Sequence, residues 1–358
     1  MNPTPSLPTR DDKVFVAGHR GMIGAALVRA LETRGYTDIL VRNDIQLDIL
    51  DQRSVFELIE FQRPSYVFCA AERLPSCDGE EPGRVLFENL TIQNNLIHGA
   101  HEAAVRWLAF IAADGIYPAG AVEPVAESAA MSGPPATGAY GQAKLTGVLM
   151  CDAYRAQYGQ PFVSIVPSCV YGPADSFDLH GGRPVPVLLR QLHLAKLVRG
   201  SALDAIPADE KRHGRIPDDV LARLGLARGE GKRFVATGVE PAIVLPWAAD
   251  SCWDLVFADD LATVCVDLME RGYDGAMLNV GSAVQVTLAE LAARLAELLG
   301  FDGKIEFAPD GPAGSPRLDT GRLSTLGLAA DTRLEAGLAA TYADYTAERK
   351  KKAATVAA

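Results

Sequence analysis

The 358-residue sequence has no excess of positive charge: 34 Lys and Arg residues stand against 45 Asp and Glu, a formal net charge of −11. This balance argues against a nucleic-acid partner, because such a protein needs a basic face to displace counterions. No apolar run approaches the ~18 residues that span a membrane, and the first residues, MNPTPSLPTRDD, hold no apolar signal core. We therefore expect a cytoplasmic protein without a membrane or nucleic-acid partner.

Cysteine is also sparse, with six residues and no C-x-x-C pair. Most of the six lie in apolar runs, which favours buried free thiols over disulfides or metal ligands. No metal is therefore expected, and a reducing compartment fits this usage. The six are Cys69, Cys77, Cys151, Cys169, Cys252 and Cys265.

Short apolar strands alternate with amphipathic helices over residues 11–175. Strands that are hydrophobic at consecutive positions and separated by helices indicate a parallel sheet covered on both faces. The expected fold class is therefore α/β: a Rossmann-type doubly wound parallel sheet mainly over 11–175, then a smaller α/β substrate-binding lobe mainly over 176–347, partly interleaved with the first domain. Residues 1–10 are expected to form a disordered arm and residues 348–358 a flexible tail.

The smaller lobe is expected to contain helices near 184–199, 259–270 and 287–299, together with short strands at RFVAT, AMLNVG and KIEF. A charged segment near 200–240 mixes Lys and Arg with Asp and Glu. Its simplest interpretation is an exposed helical flap. A lid over a nucleotide and an oligomer contact are the other two interpretations.

The first strand, KVFVA, runs directly into the loop GHRGMIG and then into a helix. In a G-x-x-G-x-x-G loop, backbone N–H groups can approach a pyrophosphate at the helix N-terminus, because no Cβ blocks the contact and the helix dipole favours an anion. The position of this loop indicates a NAD(P) site. The residues assigned to it are Gly18, Arg20, Gly21, Met22, Ile23 and Gly24, with Ala70 and Ala71 at the end of the strand YVFCAA.

Asp44 follows Gly24 by about 20 residues, where a carboxylate can bind a ribose 2′-hydroxyl and would repel a 2′-phosphate. Asp44 therefore slightly favours NAD over NADP. Arg20 and Arg42 point the other way, since an arginine here could hold a 2′-phosphate. Asp48 either caps the next turn or contacts the adenine amino group.

The segment AYGQAK places Tyr140 and Lys144 four residues apart, on one side of a helix expected near 139–159. A neighbouring ammonium favours a phenolate, which brings the tyrosine within range of a general acid or base for a sugar ketone or hydroxyl. The same lysine can hold the nicotinamide ribose. Taken without its context, this motif also fits a solvated helix face.

Between these two motifs, the strand RWLAFIAA ends in Asp114 and Gly115 with no hydroxyl side chain. Asp114 would act as a catalytic donor there only if protonated or bridged by water. The other interpretation is that its side chain points elsewhere.

These motifs together resemble the extended short-chain dehydrogenase/reductases, the NAD-dependent epimerase/dehydratase family, and within it the GDP-L-fucose synthases. The resemblance implies a nucleotide-diphosphate sugar as substrate, with GDP favoured, and a homodimer formed through the helices near 86–102 and 139–159. The matching segments run colinearly over nearly the whole chain and include VFVAGHRGMIG, LDILDQRSV, ENLTIQNNLIHGAHE, GIYP, AYGQAKLTGV, VYGP, LNVGS and GSPRLD.

The departures from the family pattern gather at the expected active centre. The catalytic serine of the family falls at Ala113, and the cysteine and histidine that it uses for epimerisation at C3 and C5 fall at Gly115 and Arg183. Since glycine cannot transfer a proton and arginine is almost always charged, double epimerisation is not expected. A substrate-gripping arginine of the family falls at Trp253, its NADP-contacting arginine falls at Asp44, and residues 200–240 form an insertion that the family lacks.

The altered pocket should fit a different sugar. Gly115 would make space beside the ring, and Trp253 would offer an apolar or stacking wall unless it merely packs into the second lobe. Arg190 could meet a diphosphate or belong to a solvated basic stripe. The expected substrate contacts are Ala113, Gly115, Arg183, Arg190, Trp253 and Arg317.

Three functions follow from these observations. The first is 4-keto reduction of the sugar without epimerisation, in which Tyr140 supplies the proton, Lys144 assists it and Asp114 is a third candidate catalytic residue. Loss of one oxyanion donor costs about 10²–10³ in rate, whereas enzymes supply roughly 10⁶ or more, so this reaction survives the missing serine. The alternatives are a C4 epimerase that retains NAD, and a cofactor-binding pseudoenzyme or partner subunit.

Overall fold

The structure is a computed structural model and describes residues 7–75, 81–312 and 314–347. Most of the expected arm, the whole of the expected tail and Cys77 lie outside these residues. Within them, four cysteines are buried thiols and Cys252 is an exposed one. In the same part of the chain, every helix is too short or too polar to cross a bilayer.

The elements follow the order expected from the sequence, with an added group of short elements after residue 200. The strands are β1 Val14–Ala17, β2 Ile39–Leu40, β3 Tyr66–Cys69, β4 Trp107–Ile111, β5 Phe162–Pro167, β6 Cys169–Tyr171, β7 Leu226–Arg228, β8 Phe234–Ala236, β9 Ala242–Leu245, β10 Cys252–Phe257, β11 Leu278–Val280, β12 Gln285–Thr287 and β13 Lys304–Phe307. The helices are α1 Met22–Thr33, α2 Gln52–Gln62, α3 Pro82–Glu102, α4 Gly138–Tyr158, α5 Pro184–Arg199, α6 Ile206–His213, α7 Asp218–Arg223, α8 Ala258–Glu270, α9 Leu288–Leu299, α10 Gly321–Thr325 and α11 Leu334–Thr346.

The large sheet has the strand order β11-β5-β4-β3-β1-β2, and every pairing in it is parallel. Alternate residues of β1 enter two separate cores: Val14 and Val16 pack with α1 and α8, whereas Phe15 and Ala17 pack with α2 and α3. Burial on both faces is what consecutive apolar positions in a strand predict. The α/β doubly wound fold is therefore confirmed.

Two elements that we assigned to the smaller lobe belong to the large sheet and its helical layer. The strand in AMLNVG is β11, which pairs with β5 in the register Leu278 to Ile165. The helix α8 packs against α1 in the core that also contains Val14 and Val16 of β1. Without β11, the unpaired backbone groups of β5 would form an exposed sheet edge. The two lobes therefore exchange chain segments, because distant strands complete the first layer.

The smaller lobe contains the sheets β12-β10-β6, β13-β9 and β7-β8. Its core lies between α5, α9 and these strands. The charged segment near 200–240 contributes to that core instead of standing away from it as an exposed flap. Its buried apolar side chains are Ile206, Ile216, Val220, Leu221, Leu224, Leu226 and Phe234.

Arg190 fixes this segment to α5. Its guanidinium is fully buried and pairs with Asp209 at 3.0 Å. It also donates to the backbone oxygens of Phe177, His213 and Gly214. A diphosphate contact from Arg190 does not fit this arrangement, because the guanidinium already satisfies the carboxylate and carbonyls of the inserted segment.

Candidate active site

A cleft of about 1340 Å³ opens where β1, β3 and β4 end. Strand order reverses between β1 and β3, and such switch points are where open parallel sheets bind ligands. The smaller lobe closes the other side of the cleft through Cys169 on β6, Arg183 just before α5 and Trp253 on β10. Pockets that bind one drug-sized ligand measure about 300–1000 Å³, so this cleft is larger than a single such ligand needs and fits a dinucleotide beside a second ligand.

The glycine loop lies against the end of β3 with no space for side chains. Gly18 has a φ of +87°, and a Cβ there would lie 2.6 Å from the backbone of Ala70. A Cβ on Gly24 would lie 2.2 Å from the carbonyl oxygen of Gly18. Helix α1 begins at Met22 with no side-chain cap at Gly21, which leaves first-turn N–H groups for an anion. These residues fit a dinucleotide pyrophosphate.

We expect Gly24→Ala to weaken both the fold and cofactor binding. The added methyl group must push α1 away from Gly18, because it meets backbone atoms that cannot rotate aside. Overpacking of this kind costs about 1–3 kcal/mol, and affinity for NADPH should fall at least about tenfold. Urea unfolding and fluorescence titration with NADPH measure the two effects. Gly83→Ala is the control, since a Cβ there meets nothing within 4 Å; equal behaviour of the two variants would contradict the prediction.

The residues expected at the cofactor ribose lie at the outer end of the cleft. Arg20, Arg42 and Asp44 line it, and Arg20 lies 3.7 Å from Asp44 with both side chains exposed. Asp48 lies in an adjoining smaller cleft, where its carboxylate accepts the N–H of Leu50. This contact is the turn-capping role that was one of its two interpretations.

Tyr140 lines the cleft, and Lys144 lies behind it, almost fully buried. The Lys144 ammonium donates to the carbonyl oxygen of Ile111 at 2.9 Å. Between the two side chains lies Glu72, which sequence reasoning missed. Its Oε2 accepts the Tyr140 hydroxyl at 2.7 Å and lies 2.7 Å from the Lys144 Nζ. A carboxylate two residues after Ala70, at the switch point, is the signal that could have found it.

Glu72 reverses the expected effect of the pair on Tyr140. Burial, and next the charge of Glu72 and its hydrogen bond, raise the pKa of Tyr140 well above its ordinary value of 10.0. Burial would raise the pKa of Glu72, but Lys144 and the Tyr140 hydroxyl outweigh it and lower that pKa. Lys144 by itself would favour the phenolate, but burial and Glu72 outweigh it in this arrangement. Tyr140 is held as a neutral phenol.

Ala113 and Asp114 line the cleft at the end of β4. Burial raises the pKa of the partly buried Asp114 to about 7; a backbone hydrogen bond from Gly115 opposes this shift and the charge of Asp254 adds to it. A carboxyl with this pKa is partly protonated near neutral pH, and its protonated form has an O–H to donate. Asp114 can therefore supply the hydrogen-bond donor that Ala113 lacks.

Gly115 does not open the space that the missing side chain suggested. A Cβ at this position would lie 2.3 Å from Oγ1 and 2.6 Å from Cγ2 of Thr137. Because both branches of the threonine face Gly115, any staggered rotamer leaves at least one of them there. Thr137 thus fills the volume, and the expected room for a bulkier sugar substituent is absent at this point.

The other expected substrate residues divide into two groups. Arg183 lines the cleft, forms an ion pair with Asp175 and donates to the backbone oxygen of Val170. Trp253 is buried in the second-lobe core but also borders the cleft. Arg317 lies outside the lining, next to Ser315 and Pro316, which border it. Arg190 is buried elsewhere, as described above.

Comparisons with known proteins agree with this geometry. Residues 14–207 match the model of the NAD dependent epimerase/dehydratase family. The chain belongs to this family. Its relatives in the family include the GDP-L-fucose synthase of Escherichia coli K12, 32% identical over 92% of this chain and 95% of that protein. A putative GDP-L-fucose synthase 2 of Arabidopsis thaliana is 34% identical over 93% of this chain and 91% of that protein.

Solved structures from the same family superpose over most of the chain. A GDP-D-glycero-L-gluco-heptose synthase from Campylobacter jejuni, crystallised in the presence of NADPH, matches with a TM-score of 0.83 and 26% identity, covering 95% of this chain and 100% of that one. A GDP-mannoheptose C4 reductase from the same organism, with NADP bound, matches with a TM-score of 0.78 and 26% identity, over 95% and 100% of the chains. The epimerase/dehydratase family places this chain among NAD(P)-dependent enzymes.

Proposed function

We propose that this enzyme reduces the 4-keto group of a nucleotide-diphosphate sugar without epimerisation at C3 or C5. The observation that carries the proposal is the neutral Tyr140 phenol at the cleft, in hydrogen-bond contact with Glu72 at 2.7 Å. Reduction requires a proton donor at the carbonyl oxygen, and this phenol holds its proton. Gly115 and Arg183, at the positions of the two epimerisation residues, offer no base.

Each residue of the centre has a stated task in this proposal. A nicotinamide cofactor, which the glycine loop and the first turn of α1 would hold, would supply hydride to the carbonyl carbon. Tyr140 donates its proton to the carbonyl oxygen, and Lys144 stabilises the phenolate that remains. Protonated Asp114 donates a hydrogen bond to the same oxygen as negative charge develops on it, the task of an oxyanion donor.

The substrate and cofactor are proposed from different observations. GDP is proposed as the nucleotide because the names of the relatives describe enzymes of GDP-sugars. NADP is bound in one structural neighbour, whereas Asp44 at the ribose end favours NAD. Fluorescence titration with NADH and NADPH decides between them. Unpaired cysteine thiols support a cytoplasmic site for the reaction.

The function is tested by adding a GDP-4-keto sugar and NAD(P)H in D₂O. We expect oxidation of the added cofactor and a C4-reduced product with no deuterium at C3 or C5. Deuterium at either carbon would overturn the part of the proposal that excludes epimerisation. Turnover of a GDP-sugar on retained NAD, with no added cofactor, would instead identify a C4 epimerase.

The Asp114 carboxyl predicts a pH dependence of reduction. Its raised pKa of about 7 means that the donor form exists below this pH and is lost above it, so the rate should fall as the pH rises through about 7. Asp114→Asn should lose this dependence, because an amide donates at every pH. The measurement is the rate of NADPH oxidation from pH 5.5 to pH 9. A wild-type profile that is flat across neutrality would contradict the role of Asp114.

We also propose a homodimer through α3 and α4. These helices pack against each other, and each leaves a large apolar side chain exposed, Phe87 on α3 and Leu149 on α4. Exposed apolar residues on adjacent helices can form a contact between two copies. Light scattering after gel filtration measures the mass, and charged substitutions at Phe87 and Leu149 should give monomers.

A further inference from the structure

One oxygen of Glu72 contacts both members of the catalytic pair. We propose that Glu72 is a positioning residue: it accepts a hydrogen bond from Tyr140 and holds this hydroxyl protonated, as the proton donor of the ketone reduction. The reaction named here rests on the proposed function. The contact itself does not.

The geometry places the carboxylate where the ammonium would otherwise act. Tyr140 and Lys144 lie one turn apart on α4, and Glu72 reaches them from the loop after β3, with its Oε2 at 2.7 Å from each polar atom. Lys144 Nζ lies 5.7 Å from the centre of the Tyr140 ring and 5.3 Å from that of Phe110. The ammonium therefore donates to the Ile111 carbonyl and pairs with Glu72, and one carboxylate oxygen is the shared partner of the ammonium and the phenol.

The charges around Tyr140 come from four elements of the fold. Glu72 follows β3, Asp114 follows β4, Lys144 is on α4 and Arg183 precedes α5. The two carboxyl groups disfavour a phenolate when ionised, and the two cations favour it. Glu72 has the closest contact of the four, a hydrogen bond to the hydroxyl itself. Its removal should therefore change the ionisation of Tyr140 most.

The hydrogen bond between Tyr140 and Glu72 bears on both directions of the reaction. In reduction, the carbonyl carbon gains the hydride, the phenol O–H bond breaks and the new sugar O–H bond forms. The resulting phenolate, which the charge of Lys144 favours and that of Glu72 opposes, recovers a proton from water. In oxidation, the sugar hydroxyl must lose its proton to a phenolate, which is scarce beside an ionised Glu72. As the carbonyl oxygen gains negative charge it becomes a stronger acceptor and can take the Tyr140 hydrogen bond from Glu72.

The test measures Tyr140 ionisation directly. Protein labelled with ¹³C at the tyrosine Cζ is titrated with base by NMR, and the Tyr140 signal is assigned by its absence from Tyr140→Phe. We expect the wild-type midpoint to lie above the ordinary value of about 10. In Glu72→Gln, which keeps the size of the side chain, the Tyr140 ionisation constant should rise at least about tenfold, because a neutral amide no longer opposes the phenolate.

Glu88→Gln is the matched control. It makes the same chemical change at another partly buried glutamate, one that pairs with Arg73 and Arg84 instead of Tyr140. An unchanged Tyr140 midpoint in Glu72→Gln, or an equal shift in both variants, would overturn the proposal. If Glu72→Gln fails to fold, a wild-type midpoint below about 10 would still overturn it. Ketone reduction is assayed in parallel: absence of turnover in the wild type would contradict the proposed function and leave the NMR result standing.

Discussion

Tyr140→Phe should lower the rate of ketone reduction by about 10³-fold, within the range of about 10²–10⁴ for a general acid. The variant loses one oxygen and its proton, while the ring continues to line the cleft. Binding of NADPH should change little, because the pyrophosphate contacts lie at the glycine loop on the other side of β3. NADPH oxidation with a GDP-4-keto sugar measures the rate, and fluorescence titration measures the binding.

Tyr158→Phe is the control for this change. Tyr158 is on the same helix but is exposed and contacts the ring of His101, so its hydroxyl should not matter to turnover. Reduction at the wild-type rate in Tyr140→Phe would contradict the assignment of the proton donor. A full cellular role without the phenol would point to a cofactor-binding subunit instead of an enzyme.

Arg190→Met should lower the free energy of unfolding by about 3–5 kcal/mol, the cost of leaving a buried charge without its partner. Asp209 would keep the Tyr345 hydroxyl but lose the cation at 3.0 Å, and three backbone oxygens would lose a donor. Urea unfolding measures the change. The expected effect on the KM for the sugar is small, since Arg190 lies in the core of the smaller lobe.

The same helix offers a matched control. Arg199→Met removes another ion-paired arginine of α5, but its partners Glu240 and Asp302 are exposed, and such pairs contribute little. Arg190→Met combined with Asp209→Asn should recover part of the lost stability, because no charge then stays unpaired. Normal stability with a raised KM in Arg190→Met would restore the diphosphate interpretation.

The sequence predicted the elements well because hydrophobic periodicity is local. The boundaries expected for α5 agree with the structure, and those expected for α4 differ by one residue at each end. The place of β11 could not be predicted in this way, since a strand of three residues does not specify which sheet it joins. Which lobe a short strand joins depends on its pairing with a strand that is distant in sequence.

The parts of the candidate site that a sequence motif defines were predicted. The residue whose role depends on the packing of distant elements was missed. The glycine loop, Tyr140 and Lys144 follow from spacing along a strand, a turn and a helix. Glu72 was missed because its role depends on the distance between β3 and α4, which are about 70 residues apart in sequence. Arg190 was predicted to be a possible ligand contact, because helical spacing does not distinguish a buried arginine from a solvated one. Its ion-pair partner, Asp209, lies in the inserted segment and could not be identified from the sequence.

The contact between Gly115 and Thr137 determines the order in which these two positions can be substituted. Any side chain at position 115 is blocked while a threonine occupies 137, and Thr137 in turn tolerates only a neighbour without a Cβ. The two positions are therefore epistatic. Engineering a cysteine at 115 would require a smaller residue at 137 first, and changing the glycine alone would force the two side chains together.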